Sequence, residues 1–96
     1  MADQPQVEVR RDDDQSRYVA EIDGQHAGIC QYRDEVDTRT FTHTVVDEAF
    51  EGRGVGSALA RAALDGARAD GKLVVAQCSF IQSYLGKHDD WNDILA

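Results

Sequence analysis

The residues with the most chemistry to offer in this chain lie in two short stretches. In Glu51-Gly52-Arg53-Gly54-Val55-Gly56-Ser57-Ala58-Leu59, three glycines alternate and lead straight into a segment of helical periodicity. Glycine at every second position lets the backbone turn tightly and approach a ligand without Cβ interference. A helix starting there aims unpaired N–H groups and its positive dipole end at the same place. Such a segment is an anion site, most often for phosphate. The second stretch centres on Cys78, which follows an apolar run and stands directly before Ser79-Phe80-Ile81-Gln82. A cysteine at a helix N-terminus is placed for thiolate character and nucleophilic attack, and a buried inert thiol is the competing reading. Cys30 has no comparable setting and is assigned to packing.

Other glycine motifs fail on local detail. A P-loop closes with Gly-Lys-Ser/Thr, whereas Gly56-Ser57-Ala58 contains no lysine. A dinucleotide fingerprint starting at Gly54 requires a third glycine at the position held by Leu59, and a much longer chain.

Composition narrows the partners. With 96 residues there is material for one core, so residues 1–6 are expected to be a frayed tail and residues 7–96 a single domain. The net charge of −8 argues against nonspecific binding to nucleic acid, which needs a basic footprint. Most of that charge sits in residues 1–50, at −7, while residues 51–96 carry −1, so an anion meets less repulsion in the half that holds the glycines. Two cysteines are too few for a disulfide framework and lack zinc spacing. No apolar run approaches the ~18 residues that a membrane span needs, and the start Met-Ala-Asp-Gln-Pro lacks the parts of a signal peptide. The expectation is a cytoplasmic monomer or weak dimer.

The elements that position these residues can be read in order. Val7 and Val9 alternate with Glu8 and Arg10, giving a short half-buried first strand, and Tyr18, Ala20 and Ile22 alternate with Val19 and Glu21 in a second. Asp23-Gly24 is a type I′ hairpin signal, and a third strand spans about Gln25 to Tyr32. After an acidic turn at Asp34 to Asp37, the β-branched stretch Thr38 to Val46 is a fourth strand that ends just before the glycines. Beyond them the period becomes helical, with Val55, Ala58, Leu59, Ala62, Ala63, Gly66 and Ala69 on the inner side. Gly71 is placed to stop that helix. Leu73 to Ala76 reads as a strand covered on both faces and parallel to the fourth. Ser79 and Gln82 form a capping box for a second helix, whose Phe80, Ile81, Tyr84 and Leu85 face the core. Asp89 or Asp90 caps a last short helix through Trp91, Ile94 and Leu95. The fold class is thus α+β (α/β): a mixed sheet with antiparallel strands 1–4, a glycine loop and helix, a parallel strand 5 and C-terminal helices.

The loop resembles the Gln/Arg-x-x-Gly-x-Gly/Ala pattern of GNAT acetyltransferases, which cradles the pyrophosphate of acetyl-CoA, with Glu51 standing where that pattern has Gln or Arg. More narrowly, His43-Thr44-Val45-Val46, the loop and its helix, Cys78-Ser79-Phe80 and Tyr84-Leu85-Gly86-Lys87-His88 resemble the minimal stand-alone GNAT proteins. The resemblance implies an N-acetyltransferase that takes acetyl-CoA as cosubstrate, without a metal, and an amine acceptor: a lysine side chain, a polyamine or a small amine. It places the pyrophosphate on Gly52, Arg53, Gly54, Val55, Gly56, Ser57 and Ala58, with backbone N–H groups from Arg53 to Ala58 as donors. It also implies that strands four and five splay and that the backbone of Thr44, Val45 and Val46 meets the pantetheine arm. Lys87 and His88 are candidate contacts to the adenosine phosphate, and a solvated helix end is the favoured reading for them.

Chemistry is then expected beside Cys78 and His43. An alkyl ammonium must lose a proton before it attacks, and His43 is a candidate base. Tyr84 is a candidate acid towards the CoA sulfur. Two routes stand open, direct attack by the amine and transfer through acetylated Cys78. A non-catalytic module that binds CoA or acyl-CoA is the alternative from another class, and a plain interaction domain is a third.

Overall fold

The computed structural model describes residues 7–96; the frayed tail expected for Met1 to Gln6 lies outside the described residues. Strands β1 (Val7–Asp12), β2 (Arg17–Ile22), β3 (Gln25–Asp34) and β4 (Thr38–Val46) are followed by helix α1 (Val55–Ala69), strand β5 (Leu73–Ala76) and helix α2 (Ser79–Lys87). They form one five-stranded sheet in sequence order, antiparallel from β1 to β4, with β5 parallel to β4. Asp23 and Gly24 both have positive φ, at 52° and 79°, as the tight β2–β3 hairpin demands.

Both helices cover the same face. Tyr18, Ala20, Ile22, Cys30, Tyr32 and Phe41 from the sheet pack with Val55, Leu59 and Ala63 of α1 and Ile81 and Tyr84 of α2 in one core. The buried arc of α1 differs from the expected one: Ala60, Leu64 and Ala67 are buried, Ala58, Ala62 and Gly66 are half-buried, and Ala69 is exposed. The helix packs on α2 as well as on the sheet, so its buried arc turns to take in Leu64, whose burial is worth roughly 1.5–3 kcal/mol. At the helix end, Gly71 (φ 72°) lets its own N–H reach the Arg68 carbonyl and the Lys72 N–H reach that of Ala67, a Schellman stop.

Three local expectations are corrected. Only Val74 of β5 is buried and Leu73 is 41% exposed, because among the described residues no helix lies over the far face of the sheet. The outer edge of β5 instead receives the chain's end, where the Ala96 N–H donates to the Val74 carbonyl at 2.9 Å. The Ser79–Gln82 capping box does not form: α2 starts with Cys78 as its extended N-cap, which draws Ser79 into the first turn, and the Gln82 amide donates to the Ala76 carbonyl at 2.9 Å. The final turn, Asn92–Ile94, has no side-chain cap from Asp89 or Asp90; Trp91 precedes it and anchors it by an Nε1–H bond to Asp65 at 3.0 Å.

The sheet end remote from the glycines is held by a buried charge. Arg39, 1% exposed, donates to both carboxylate oxygens of Asp34 (2.7 and 3.1 Å), to Asp70 (2.8 Å) and to the Tyr18 hydroxyl (3.2 Å), and lies over the Tyr32 ring. A Cβ at position 66 would come within 2.1 Å of the Tyr18 hydroxyl, so Gly66 is what lets that hydroxyl sit there. Bonding to Arg39 holds the Asp34 and Asp70 carboxyls below their usual range.

Candidate functional site

The pairing of β4 with β5 ends at Phe41 and Ala76. There the Phe41 carbonyl accepts from both Gln77 and Cys78 N–H at 3.0 Å, and the chain turns away into α2. Strand β4 continues through Thr42, His43, Thr44, Val45 and Val46, paired on one side only, with β3. A notch therefore opens between β4 and the first turn of α2, with Cys78 at its apex and a free backbone edge along β4.

A bulge decides which side chains face this notch. Gln31 pairs with His43 and Tyr32 with Phe41, so Thr42 is an extra residue in β4. Strict alternation from inward-facing Phe41 would carry His43 inward and Thr44 outward; the extra residue inverts this. Thr44 lies on the helix side, opposite Cys30, and its hydroxyl accepts from the Cys78 thiol at 3.2 Å and donates to the Cys30 sulfur at 3.6 Å. His43 is exposed on the uncovered face with Nδ1 3.1 Å from the Thr42 hydroxyl, and Val45 beside it is 52% exposed. The expected neighbours Cys78 and His43 thus stand on opposite faces of β4. Burial pushes the Cys30 thiol up to about 11.

Beyond Val46 the notch leads into a pocket of about 230 Å³ lined by Val46, Phe50, Glu51, Gly52, Gly54, Val55, Gly56, Ser57 and Phe80. Gly52 and Gly54 have φ of 81° and 79°, a conformation that side chains rarely adopt, and Gly54 serves as N-cap of α1. Gly56 has a different reason. A Cβ there would lie 2.6 Å from Cζ of Phe80, so the ring occupies the space that a side chain would need. Phe80, expected in the core, is 38% exposed and forms the pocket wall.

The available donors are fewer than the loop suggested. The Arg53 N–H is taken by the Phe50 carbonyl and the Ala58 N–H by that of Gly54. Among the described residues the amides of Gly54, Val55, Gly56 and Ser57 have no backbone acceptor, as the first turn of a helix requires. Arg53 is exposed with its guanidinium 5.9 Å from the Phe50 ring centre, and the acidic Glu51 is among the residues that line the pocket.

Tyr84, Lys87 and His88 are not among the residues that line this pocket. Tyr84 is buried against His88 (ring centres 4.2 Å apart) and Trp91 (5.7 Å). It stands six positions after Cys78, about 9 Å along the helix axis. Lys87 and His88 close the opposite end of α2 from Phe80 and do not line the pocket.

The side chains of Thr44 and Phe80 are the site components that sequence reasoning missed. Thr44 entered it only through its backbone, and Phe80 as an apolar residue at helical spacing. The remaining signal was Gly56 itself, which is small where an aromatic ring has to approach.

Residues 17–94 match the family model described as GCN5-related N-acetyl-transferase. Among solved structures, a Staphylococcus aureus protein described as GCN5-like, determined in solution by NMR, shares the fold with a TM-score of 0.71 and 24% identity. That match covers 93% of this chain and 87% of that one. The crystal structure of Ard1 from Thermoplasma volcanium aligns with a TM-score of 0.56 and 31% identity over 62% of this chain and 41% of that one. No curated protein matches the sequence.

Proposed function

Since the chain belongs to the GCN5-related N-acetyltransferase family, we propose that it moves the acetyl group of acetyl-CoA to an amine acceptor, with the donor lying along the strip from Ser57 to Cys78. The observation that carries this reading is the continuity of that strip. Four free amides at the start of α1 adjoin Val46, and the one-sided edge of β4 runs from there to the notch at Cys78. The amides of Gly54, Val55, Gly56 and Ser57 would hold the pyrophosphate by charge-assisted bonds. The Thr44–Val46 edge would accompany the pantetheine arm, leaving the thioester at the notch.

The acceptor would approach from the uncovered face of the sheet. Its nitrogen attacks the thioester carbonyl, a C–N bond forms, the C–S bond breaks, and the CoA sulfur leaves as a thiolate that takes up a proton. The amine's proton passes to a base, and the exposed imidazole of His43 stands on that face. A net charge of −8 favours a cationic acceptor such as a lysine side chain or polyamine.

The position of Cys78 supports a second route. Its sulfur attacks first, giving acetyl-Cys78 and CoA thiol, and the amine then takes the acetyl group and restores the thiol. Intact mass after mixing with acetyl-CoA separates the routes: an adduct at Cys78 that discharges to an amine at the turnover rate belongs to the second, and full activity in Cys78→Ala removes it. Calorimetry with acetyl-CoA, followed by thiol release across a panel of amines, tests the function itself. Binding with no acceptor-dependent release would replace the transferase with a CoA-binding module, and absence of binding would remove both.

A further inference from the structure

The Cys78 thiol donates to the Thr44 hydroxyl, and that hydroxyl donates to Cys30. Each of the three groups carries one proton and can accept one hydrogen bond, so the chain can run in either direction. Cys30 is fully buried, directly across the β3–β4 ladder from Thr44, and burial keeps it a thiol. It therefore retains a proton to donate under any condition in which the protein is folded near neutrality.

We infer that Thr44 and Cys30 are positioning residues for Cys78, forming with it a hydrogen-bond relay that reverses direction when the Cys78 sulfur becomes negative. With Cys78 protonated, the order is Cys78 to Thr44 to Cys30. With a thiolate, the Thr44 hydroxyl turns its proton to Cys78, and the Cys30 thiol donates to the oxygen just vacated. Neither state leaves an unpaired hydroxyl at the apex of the notch, and the thiolate gains a charge-assisted bond that alanine or valine at position 44 cannot supply.

Other groups around Cys78 do not supply this. His43 of β4 faces the opposite side, α1 presents the apolar Val55 and Leu59 to the core, and Glu51 and Arg53 make no bond or ion pair to the thiol. On its own helix, Lys87 and His88 stand at the far end, and the Gln82 amide is engaged by Ala76.

The relay deepens the reading of the notch as the thioester site and rests on it only for its use in catalysis. Its test needs no acetyl-CoA, so a failed relay and a failed transferase are separate results. Protein carrying carbon-13 at the cysteine Cβ gives two resonances, assigned by Cys30→Ala, whose pH titrations follow each thiol. In Thr44→Val the Cys78 titration is expected to move up by about one pH unit, a tenfold loss of thiolate below the midpoint. Cys30→Ala moves it up by less, and Thr44→Ser returns it to the wild-type position. Thr44→Ala serves in place of Thr44→Val should the valine variant not fold. A hydroxyl-free variant whose Cys78 titration superimposes on the wild type overturns the relay. So does Thr44→Ser displaced as far as Thr44→Val, since the methyl packing and not the hydroxyl would then be responsible.

Discussion

Gly56→Ala separates two explanations of the third glycine. In most glycine loops the missing Cβ makes room for the ligand; here the space belongs to Phe80, whose Cζ, Cε1 and Cε2 would lie 2.6, 3.1 and 3.3 Å from the new methyl. Relief requires the ring tip to retreat by nearly an ångström. Since Phe80 is the second residue of α2, this either swings the ring or shifts the turn that follows Cys78. Alanine gains about 1 kcal/mol of helix propensity, while overpacking costs about 1–3 kcal/mol. The net change in stability is therefore small, and the informative quantity is the coupling. In a double-mutant cycle with Phe80→Ala, measured by urea unfolding, the two changes should couple by about 1–2 kcal/mol. Titration with acetyl-CoA gives the functional half: Gly56→Ala should weaken binding, and Gly56→Ala/Phe80→Ala should recover part of it. Additivity within about 0.5 kcal/mol, with no recovery of binding in the double variant, would refute the packing explanation and return Gly56 to the ligand.

Glu51→Gln should tighten CoA by between about threefold and about sixtyfold at low salt, and less at high salt. A carboxylate about 7 Å from one phosphate charge opposes it by about 0.6 kcal/mol at a dielectric constant of 80 and about 2.4 at 20; a salt-independent change would point to another cause. Arg39→Met should cost about 2 kcal/mol at pH 7, discounted because Asp34 and Asp70 remain about a third exposed. Both carboxyls are depressed in the folded state, so their contribution is present above the unfolded value of about 3.9 and lost as the pH falls through the folded values. Urea midpoints of the variant and wild type should therefore converge in acid, and an equal gap at pH 7 and pH ~2.5 would contradict the assignment. Deleting Thr42 should leave a folded chain with Thr44 still facing Cys30, because the shortened strand alternates without the extra residue. It should also lose acetyl-CoA affinity as β4 straightens, and wild-type affinity in that variant would separate the bulge from the notch.

Much of the fold is visible in the residue order because each element has its own local signal. Asp23-Gly24 satisfies two positive-φ positions, Gly71 supplies the left-handed stop, and the change of period after Gly54 marks the passage from strand to helix. The missed details all depend on what a residue meets across the fold. Ser79 and Gln82 have the right spacing for a capping box, but the turn beginning at Cys78 places them one position too far into the helix. Arg39 reads as a polar residue in a strand, and only the convergence of Tyr18 from β2, Tyr32 and Asp34 from β3 and Asp70 from the end of α1 makes its burial possible.

The candidate site shows the same division more sharply. Its anion half is local, since glycines and helix start are adjacent in the chain. Its thiol half depends on one residue of register. Threonines recur at positions 38, 40, 42 and 44, so a shift of one place in β4 leaves no break in hydropathy to betray it. Yet that shift turns Thr44 towards Cys78 and sends His43 to the open face, and it falls next to Phe41, the last β4 residue paired with β5. Bulges bend and twist the strand that carries them, so the same extra residue that sorts the side chains also helps to part the two strands. The placing of Thr44 with Cys30 and Cys78 on one face of β4, and of His43 on the other, is thus a consequence of backbone geometry at Thr42 that residue types alone do not encode.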